Sequence, residues 1–320
     1  MQSLIKPRPL RPGDTIGLLA PASPGNAEEL EQGVRWLQSQ GFAVRLGKSA
    51  AYTEGICAGD DVVRVADLHA FFADPSIAGI LCVRGGYGSM RLLPQLDYEL
   101  ISRHPKVFMG YSDITALHTV LQQRCGLVTF HGPMAASDFG REPRSPFTCK
   151  HALQALSSTR PLGQLPAPTA GAAPFFLVPG EASGPLCGGN LSLIAATLGT
   201  PYELDTAGRI LCLEEVGEAP YRLDRLLTQL HLAGKLQAAA AIVMGVCSNC
   251  DSEDDPPGQR TADVLRERLG SLSKPVLCDV SFGHTPDKLT LPLGVQATMS
   301  PQAGLVLTEA ALEEAPANGY

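Results

Sequence analysis

Three polar side chains stand where apolar runs end: Ser112 after "KVFMGY", Glu214 after "RILCL" and His284 after "VLCDVSFG". A serine hydroxyl is a weak nucleophile until an imidazole takes its proton. The imidazole in turn needs a carboxylate to fix its tautomer and stabilise its charged form. The three residue types therefore supply the parts of an acyl-transfer hydrolase. "MGYSDI" (109–114) sets the serine on a strand-to-helix corner, where a hydroxyl is exposed and the first helical N–H groups can face a developing oxyanion. The corner is not G-x-S-x-G, because Ile114 stands two positions beyond Ser112. The competing reading is that Ser112 or Asp113 simply caps the helix over 114–125.

A second candidate is "RGGYGSMRLLPQLD" (84–97). Gly85, Gly86 and Gly88 after a strand allow backbone N–H groups to approach a ligand without Cβ interference. The spacing is neither G-x-G-x-x-G nor a P-loop. The loop reads either as a tight turn or as half of an oxyanion hole. Arg84, Gly85 and Tyr87 are candidate substrate contacts, and a surface salt bridge is the alternative for Arg84. Asn190 in "CGGNLSLI" reads as an N-cap, and His131 follows a strand and could face a cleft. His69, His118 and His231 fall within helical patterns and read as structural. Cys247 and Cys250 form a lone C-x-x-C with no second ligand pair at zinc spacing. "DSEDDPPG" (251–258) reads as a solvated acidic loop.

Positioning these residues requires a particular framework. Strand and helix signals alternate from "TIGLLAP" (15–21) through helices over 26–41 and 60–74, strands at 78–86 and 106–113, a helix over 114–126 and a strand at 127–133. Such alternation implies a parallel sheet with helices on its faces, and ligands gather at the carboxyl ends of its strands. Residues 160–184 are rich in Pro, Ala and Gly without sustained period, the composition of a linker. The α/β pattern then restarts, with strands at 208–217, 238–246 and 274–283, helices over 219–236 and 261–272, and a terminal hairpin. The expected organisation is an N-terminal domain over 1–158, a linker over 159–183 and a C-terminal domain over 184–320. The last eleven residues are expected to fray.

The chain has 320 residues, 44% hydrophobic and 18% charged, with net charge −7. That balance argues against nucleic-acid or anionic-membrane partners, which select clustered Lys and Arg. No apolar run reaches the roughly 18 residues of a membrane span, and the N-terminus has no apolar signal core. A cytoplasmic location is expected, with the nine cysteines reduced.

Taken together, "RPGDTIGLLAPASP" (11–24), "RGGYGSMRLLPQLD", "MGYSDITALH", "HGPM", "GGNLSLIAATLGTPYE", "LEEVGEAPYRLDRLLTQL" and "GHTPDKLTLPLGV" (283–295) resemble the LD-carboxypeptidase family of serine peptidases, which includes the microcin C immunity proteins. The resemblance runs in order from near residue 11 to near 295. It implies an α/β fold: a flavodoxin-like N-terminal domain, a C-terminal α/β domain with a barrel-like sheet, and an active site between them in a homodimer. It assigns Ser112 as nucleophile, His284 as base and Glu214, rather than adjacent Glu215, as orienting acid. The N–H groups of Gly86 and Asp113 would form the oxyanion hole, with no metal or cofactor. The implied substrate is a murein tetrapeptide, cleaved before its terminal D-Ala in cell-wall recycling. The immunity branch instead cleaves acyl- or peptidyl-adenylates and stacks an aromatic residue, often Trp, on adenine. Here Trp36 lies in the first helix, while Phe175, Phe176 or Tyr202 could substitute. A reading of another class is a non-catalytic binder of a small anion, which would have no need of Ser112, Glu214 and His284 together.

Overall fold

The computed structural model describes residues 4–169, 171–253, 256 and 258–314. The final residues expected to fray, from 315 on, lie outside the described residues, as do Asp254, Asp255 and Pro257 of the acidic run. The chain divides into two compact units. The first comprises residues up to 161 with 290–294 and the segment from 310, and the second comprises 162–289 and 295–309.

In the first unit, β1 (Thr15–Leu19), β2 (Ala43–Leu46), β3 (Ile77–Cys82), β4 (Val107–Gly110) and β5 (Thr129–His131) pair in parallel in the order 2-1-3-4-5. This is the flavodoxin-like doubly wound order, whose switch point falls between β1 and β3. β3 and β4 are buried along their whole length, as expected of strands covered on both faces, and this explains their uninterrupted apolar runs. Between the strands lie α1 (Ala27–Ser39), α2 (Asp61–Ala73), α3 (Tyr98–Arg103) and α4 (Thr115–Cys125), with α5 (Pro146–Ser157) after β5. Asn26 caps α1 by accepting from the Glu29 N–H at 3.0 Å, and Asp60 caps α2 by accepting from the Val63 N–H at 2.8 Å. Gly126, at φ 68°, closes α4.

The second unit carries β6 (Gly163–Gln164), β7 (Phe175–Val178), β8 (Ala182–Asn190), β9 (Ile210–Val216), β10 (Ala241–Ser248) and β11 (Val276–Val280). β12 (Leu291–Leu293) leaves this run of chain and pairs antiparallel with β5, Leu291 opposite His131. The expected hairpin is β13 (Gln296–Ser300) with β14 (Gly304–Leu307). The second sheet runs 6-14-13-8-9-10-11-7, mixed in direction, with β6 and β7 as its two ends. The expected barrel-like sheet is thus an open order of strands. Helices α6 (Leu191–Ala196), α7 (Pro220–Leu232), α8 (Lys235–Ala238) and α9 (Thr261–Gly270) complete the unit. Leu211, Leu213, Leu223, Leu227 and Ile242 belong to its core.

Two segments differ from the sequence-based expectation. Residues 159–183 hold β6 and β7, edge strands too short to impose a period on a Pro-rich stretch. Residues 290–294, expected in the C-terminal domain, extend the first sheet, a long-range pairing with no local signal.

Two buried histidines make the first unit acid-sensitive. Burial pushes His118 down to about 3, although the Gly110 carbonyl opposes this, and burial pushes His151 down to about 4. Both rings are neutral in the fold, whereas the unfolded chain takes up protons near pH 6.5. Stability from these groups is therefore intact above pH 6.5 and is lost as pH falls toward about 4 for His151 and about 3 for His118. Unfolding free energies from urea titrations at pH 7 and pH 5 should differ by about 2 kcal/mol per histidine. The His118→Asn, His151→Asn double variant should lose that part of the difference.

Candidate active site

Three loops meet at the carboxyl ends of adjacent strands in the first unit: Ser23 after β1, the glycine loop after β3 and Ser112 after β4. Ser112 sits at φ 65°, in the left-handed region. That conformation costs a non-glycine residue about 1–2 kcal/mol, and it makes the sharp strand-to-helix corner that a nucleophile elbow would require. The capping alternative is not what the corner shows. α4 has Ile114 at its N-cap position and no side-chain cap hydrogen bond. The Asp113 carboxylate instead accepts from the Ser89 N–H at 2.8 Å, and the Ser89 hydroxyl donates to the Asp113 carbonyl at 2.5 Å. These two bonds fasten the elbow to the glycine loop.

The loop itself is packed against the serine. A Cβ placed on Gly85 would lie 2.8 Å from Ser112 Cβ and 3.1 Å from its Oγ, so only glycine fits. Gly86 has φ 110°, and a Cβ there would meet Ser23 Cβ at 2.6 Å. Ser23 orders the same backbone. Its N–H donates to the Gly85 carbonyl at 3.3 Å, its hydroxyl accepts from the Tyr87 N–H at 3.0 Å, and it donates to the Ile56 carbonyl at 2.7 Å. Sequence reasoning passed over Ser23, although "APASP" follows an apolar strand just as "GYSD" does. Arg84 is exposed and Tyr87 is 56% exposed. His131, at the end of β5, is buried with its ring 6.0 Å from that of Tyr111.

In the second unit, His284 Nδ1 lies 2.7 Å from Glu214 Oε2, and the carboxyl group is fully buried. A carboxylate only accepts, so Nδ1 carries the proton and Nε2 is left as the basic atom. The close approach depends on Gly283, at φ 86°, where any Cβ would collide with the Glu214 carboxyl group. The loop is closed at its base by the Leu289 N–H on the Ser281 carbonyl at 2.7 Å.

The alternation of β9 separates the two glutamates. Glu215 falls on the face of Leu211 and Leu213 and turns toward α6. There it accepts from Asn190 Nδ2 at 2.9 Å, from the Ser192 N–H at 2.8 Å and from the Ser192 hydroxyl at 2.6 Å. Asn190 also caps α6, accepting from the Leu193 N–H at 3.2 Å. Glu214, on the opposite face, is the one that reaches the histidine.

These local geometries agree with similarity along the whole chain. Residues 16–132 match the LD-carboxypeptidase N-terminal domain and residues 183–299 match the LD-carboxypeptidase C-terminal domain. The chain belongs to the LD-carboxypeptidase family. It is 40% identical over 317 residues to a probable murein peptide carboxypeptidase of Bacillus subtilis strain 168, covering 97% of this chain and 96% of that protein. The microcin C7 self-immunity protein MccF of Escherichia coli is 29% identical over 314 residues, covering 90% of this chain and 91% of that protein. A structure of MccF without ligand superposes with a TM-score of 0.88 over 97% of this chain and all of that one, at 28% identity. A muramoyltetrapeptide carboxypeptidase from Oxalobacter formigenes superposes with a TM-score of 0.80, at 31% identity, covering 91% and 97%. Members of the LD-carboxypeptidase family that resemble this chain thus include both peptidases and an immunity protein. Among the described residues, no helix is long and apolar enough to cross a membrane.

Proposed function

We propose that the protein is a serine LD-carboxypeptidase that removes the terminal D-Ala from murein tetrapeptides. The observation that carries this reading is the Glu214–His284 pair at 2.7 Å, in a chain whose Ser112 occupies a left-handed strand-to-helix corner. In this mechanism His284 Nε2 takes the Ser112 proton as Oγ attacks the amide carbonyl carbon. Glu214 stabilises the resulting imidazolium. The N–H groups of Gly86 and Asp113 receive the oxyanion. The imidazolium then protonates the departing amine of D-Ala, and water attacks the acyl-serine in the second half-reaction. No step needs a metal or cofactor. The reaction is expected in the cytoplasm, in a homodimer.

Ser23 has a place in this account as the residue that orders the Gly86 peptide. Ser23→Ala should lower kcat by about 10-fold to 10²-fold, short of or at the lower edge of losing an oxyanion donor outright, with KM little changed. Steady-state kinetics on the tetrapeptide would read this, and a variant with wild-type kcat would remove Ser23 from the mechanism.

The immunity-type reading competes because MccF has been solved with aspartyl sulfamoyl adenosine. In this chain Trp36 is committed elsewhere: it stacks on Phe139 at a centroid distance of 4.2 Å within the first unit. Phe175 and Phe176 lie on the edge strand β7. Selectivity for an L,D amide requires the D-Ala carboxylate and the preceding L-centre to be held together. A tetrapeptide ending in D-Ala should therefore be cleaved and a pentapeptide ending in D-Ala-D-Ala spared. Mass spectrometry should show loss of one alanine from the tetrapeptide alone. Comparable cleavage of the pentapeptide would contradict the L,D assignment. Faster turnover of a peptidyl-sulfamoyl adenosine than of any murein peptide would place the protein in the immunity branch.

A further inference from the structure

α2 of the first unit buries a charge. Arg64 stands among its buried residues with Val65, Leu68 and Phe72, and the whole side chain is out of solvent. Taking a guanidinium out of water is costly unless its hydrogen bonds are well met. Here Nη1 donates to the Pro21 carbonyl at 2.7 Å and to the Gly88 carbonyl at 3.0 Å. Nη2 pairs with the carboxylate of Asp61, three residues earlier in the helix. Asp61 also accepts from Arg91 Nε at 3.1 Å, and the Gly88 carbonyl also accepts from the Arg91 N–H at 3.2 Å. One nitrogen of Arg64 thus joins two loops, the one after β1 and the glycine loop after β3.

The places of the two carbonyls give this contact its consequence. Pro21 lies two residues before Ser23, and Gly88 lies two residues beyond Gly86. Ser23 already bonds the Gly85 carbonyl and the Tyr87 N–H. The run from 85 to 88 is therefore held to the loop after β1 at three points: Gly85 and Tyr87 through Ser23, and Gly88 through Arg64. The fit at Gly88 is close. It sits at φ 113°, and a Cβ there would come within 2.9 Å of Arg64 Nη1. A planar guanidinium serves two carbonyls and a carboxylate in fixed directions, which the point charge of a lysine does not.

We infer that Arg64 is a positioning residue: it locks the glycine loop to the loop after β1 and so fixes the direction of the Gly86 N–H. The inference rests on the proposed reading of that N–H as an oxyanion donor. Arg64 acts through backbone carbonyls and does not touch the reacting atoms. A donor aimed at the oxyanion makes its bond in the transition state and not in the ground state, so a loosened lock lowers kcat and leaves KM unchanged. Loss of stability alone has a different signature. It speeds amide exchange throughout the unit instead of at the loop.

The test compares the full-length wild type with Arg64→Lys, which keeps the charge and loses the fork. Asp61→Asn is the second variant. It keeps the guanidinium, removes its carboxylate partner and leaves the loop testable if Arg64→Lys does not fold. The first readout is amide hydrogen exchange, which needs no substrate. The Tyr87 N–H should exchange about 10-fold to 10²-fold faster in Arg64→Lys, while Ile80 in β3 and Phe108 in β4 keep their wild-type rates. The second readout is tetrapeptide cleavage. Its kcat should fall by about 10²-fold, the scale of an ångström-size misplacement, with KM within about two-fold. Asp61→Asn should move both readouts in the same direction by smaller factors. Combined with Ser23→Ala, Arg64→Lys should cost less than the product of the two single losses, because both residues hold one peptide run. A wild type that leaves the tetrapeptide intact would refute the peptidase reading, and exchange at Tyr87 would still decide whether Arg64 locks the loop. Unchanged Tyr87 exchange in both variants would overturn the proposal. So would equal acceleration at Tyr87, Ile80 and Phe108, or a raised KM with kcat unchanged.

Discussion

Ser112→Ala and His284→Ala should each lower kcat for D-Ala release by about 10⁴-fold or more, and the double variant should be scarcely worse than either single one. In the proposed mechanism the hydroxyl and the imidazole perform one proton-coupled attack, so removing either would leave the other without a task. The residual rate would come from the Gly86 and Asp113 N–H groups and from substrate binding, which neither substitution touches. Ser112→Ala should still unfold cooperatively in thermal melts, which separates loss of rate from loss of fold. The φ of 65° is as strained for alanine as for serine, so the backbone cost of the corner is the same in both. Independent, multiplying losses in the double variant would show that Ser112 and His284 do not act as a unit.

The second large effect distinguishes two neighbours in sequence. Glu214→Gln should cost about 10⁴-fold in kcat, because the amide cannot stabilise an imidazolium and can impose the wrong ring tautomer. Its fold should survive, since the amide is nearly isosteric with the carboxyl group. Glu215→Gln should do the opposite. It weakens the charged acceptor shared by Asn190, Ser192 and the Val216 N–H. That should cost about 2–3 kcal/mol of stability while leaving kcat within a few-fold at temperatures where the protein is folded. Thermal melts and kinetics on both variants would check this, and an inactive, stable Glu215→Gln beside an active Glu214→Gln would reverse the assignment.

What was legible in the sequence follows from the range of each signal. Strand ends carrying Ser112, Glu214 and His284 are local features, visible as polar residues closing apolar runs. The parallel sheet of the first unit was legible for the same reason, because each strand and helix declares itself within about a dozen residues. The choice between Glu214 and Glu215 was not legible from residue type. It depends on which face of β9 meets the helices, and that is settled by Leu211 and Leu213 packing in the core. The return of 291–293 to β5 and the short edge strands β6 and β7 depend on partners far along the chain. Ser23 escaped notice because its role is to bond the backbone of another loop, and a serine after a strand has no pattern that reveals such a partner. Gly283 was visible as a glycine, but its necessity lies in the carboxyl group that folds against it.

The most direct measurement of the central claim is a trapping experiment on the intact protein. A murein tetrapeptide analogue whose D-Ala is replaced by a good leaving group makes deacylation the slow step, so the acyl group accumulates on the nucleophile. Mass spectrometry after rapid acid quench should then find the peptidyl adduct on Ser112, absent from Ser112→Ala and unaffected by EDTA. An adduct on any other residue, or hydrolysis that proceeds in Ser112→Ala or stops on chelation, would contradict the serine mechanism.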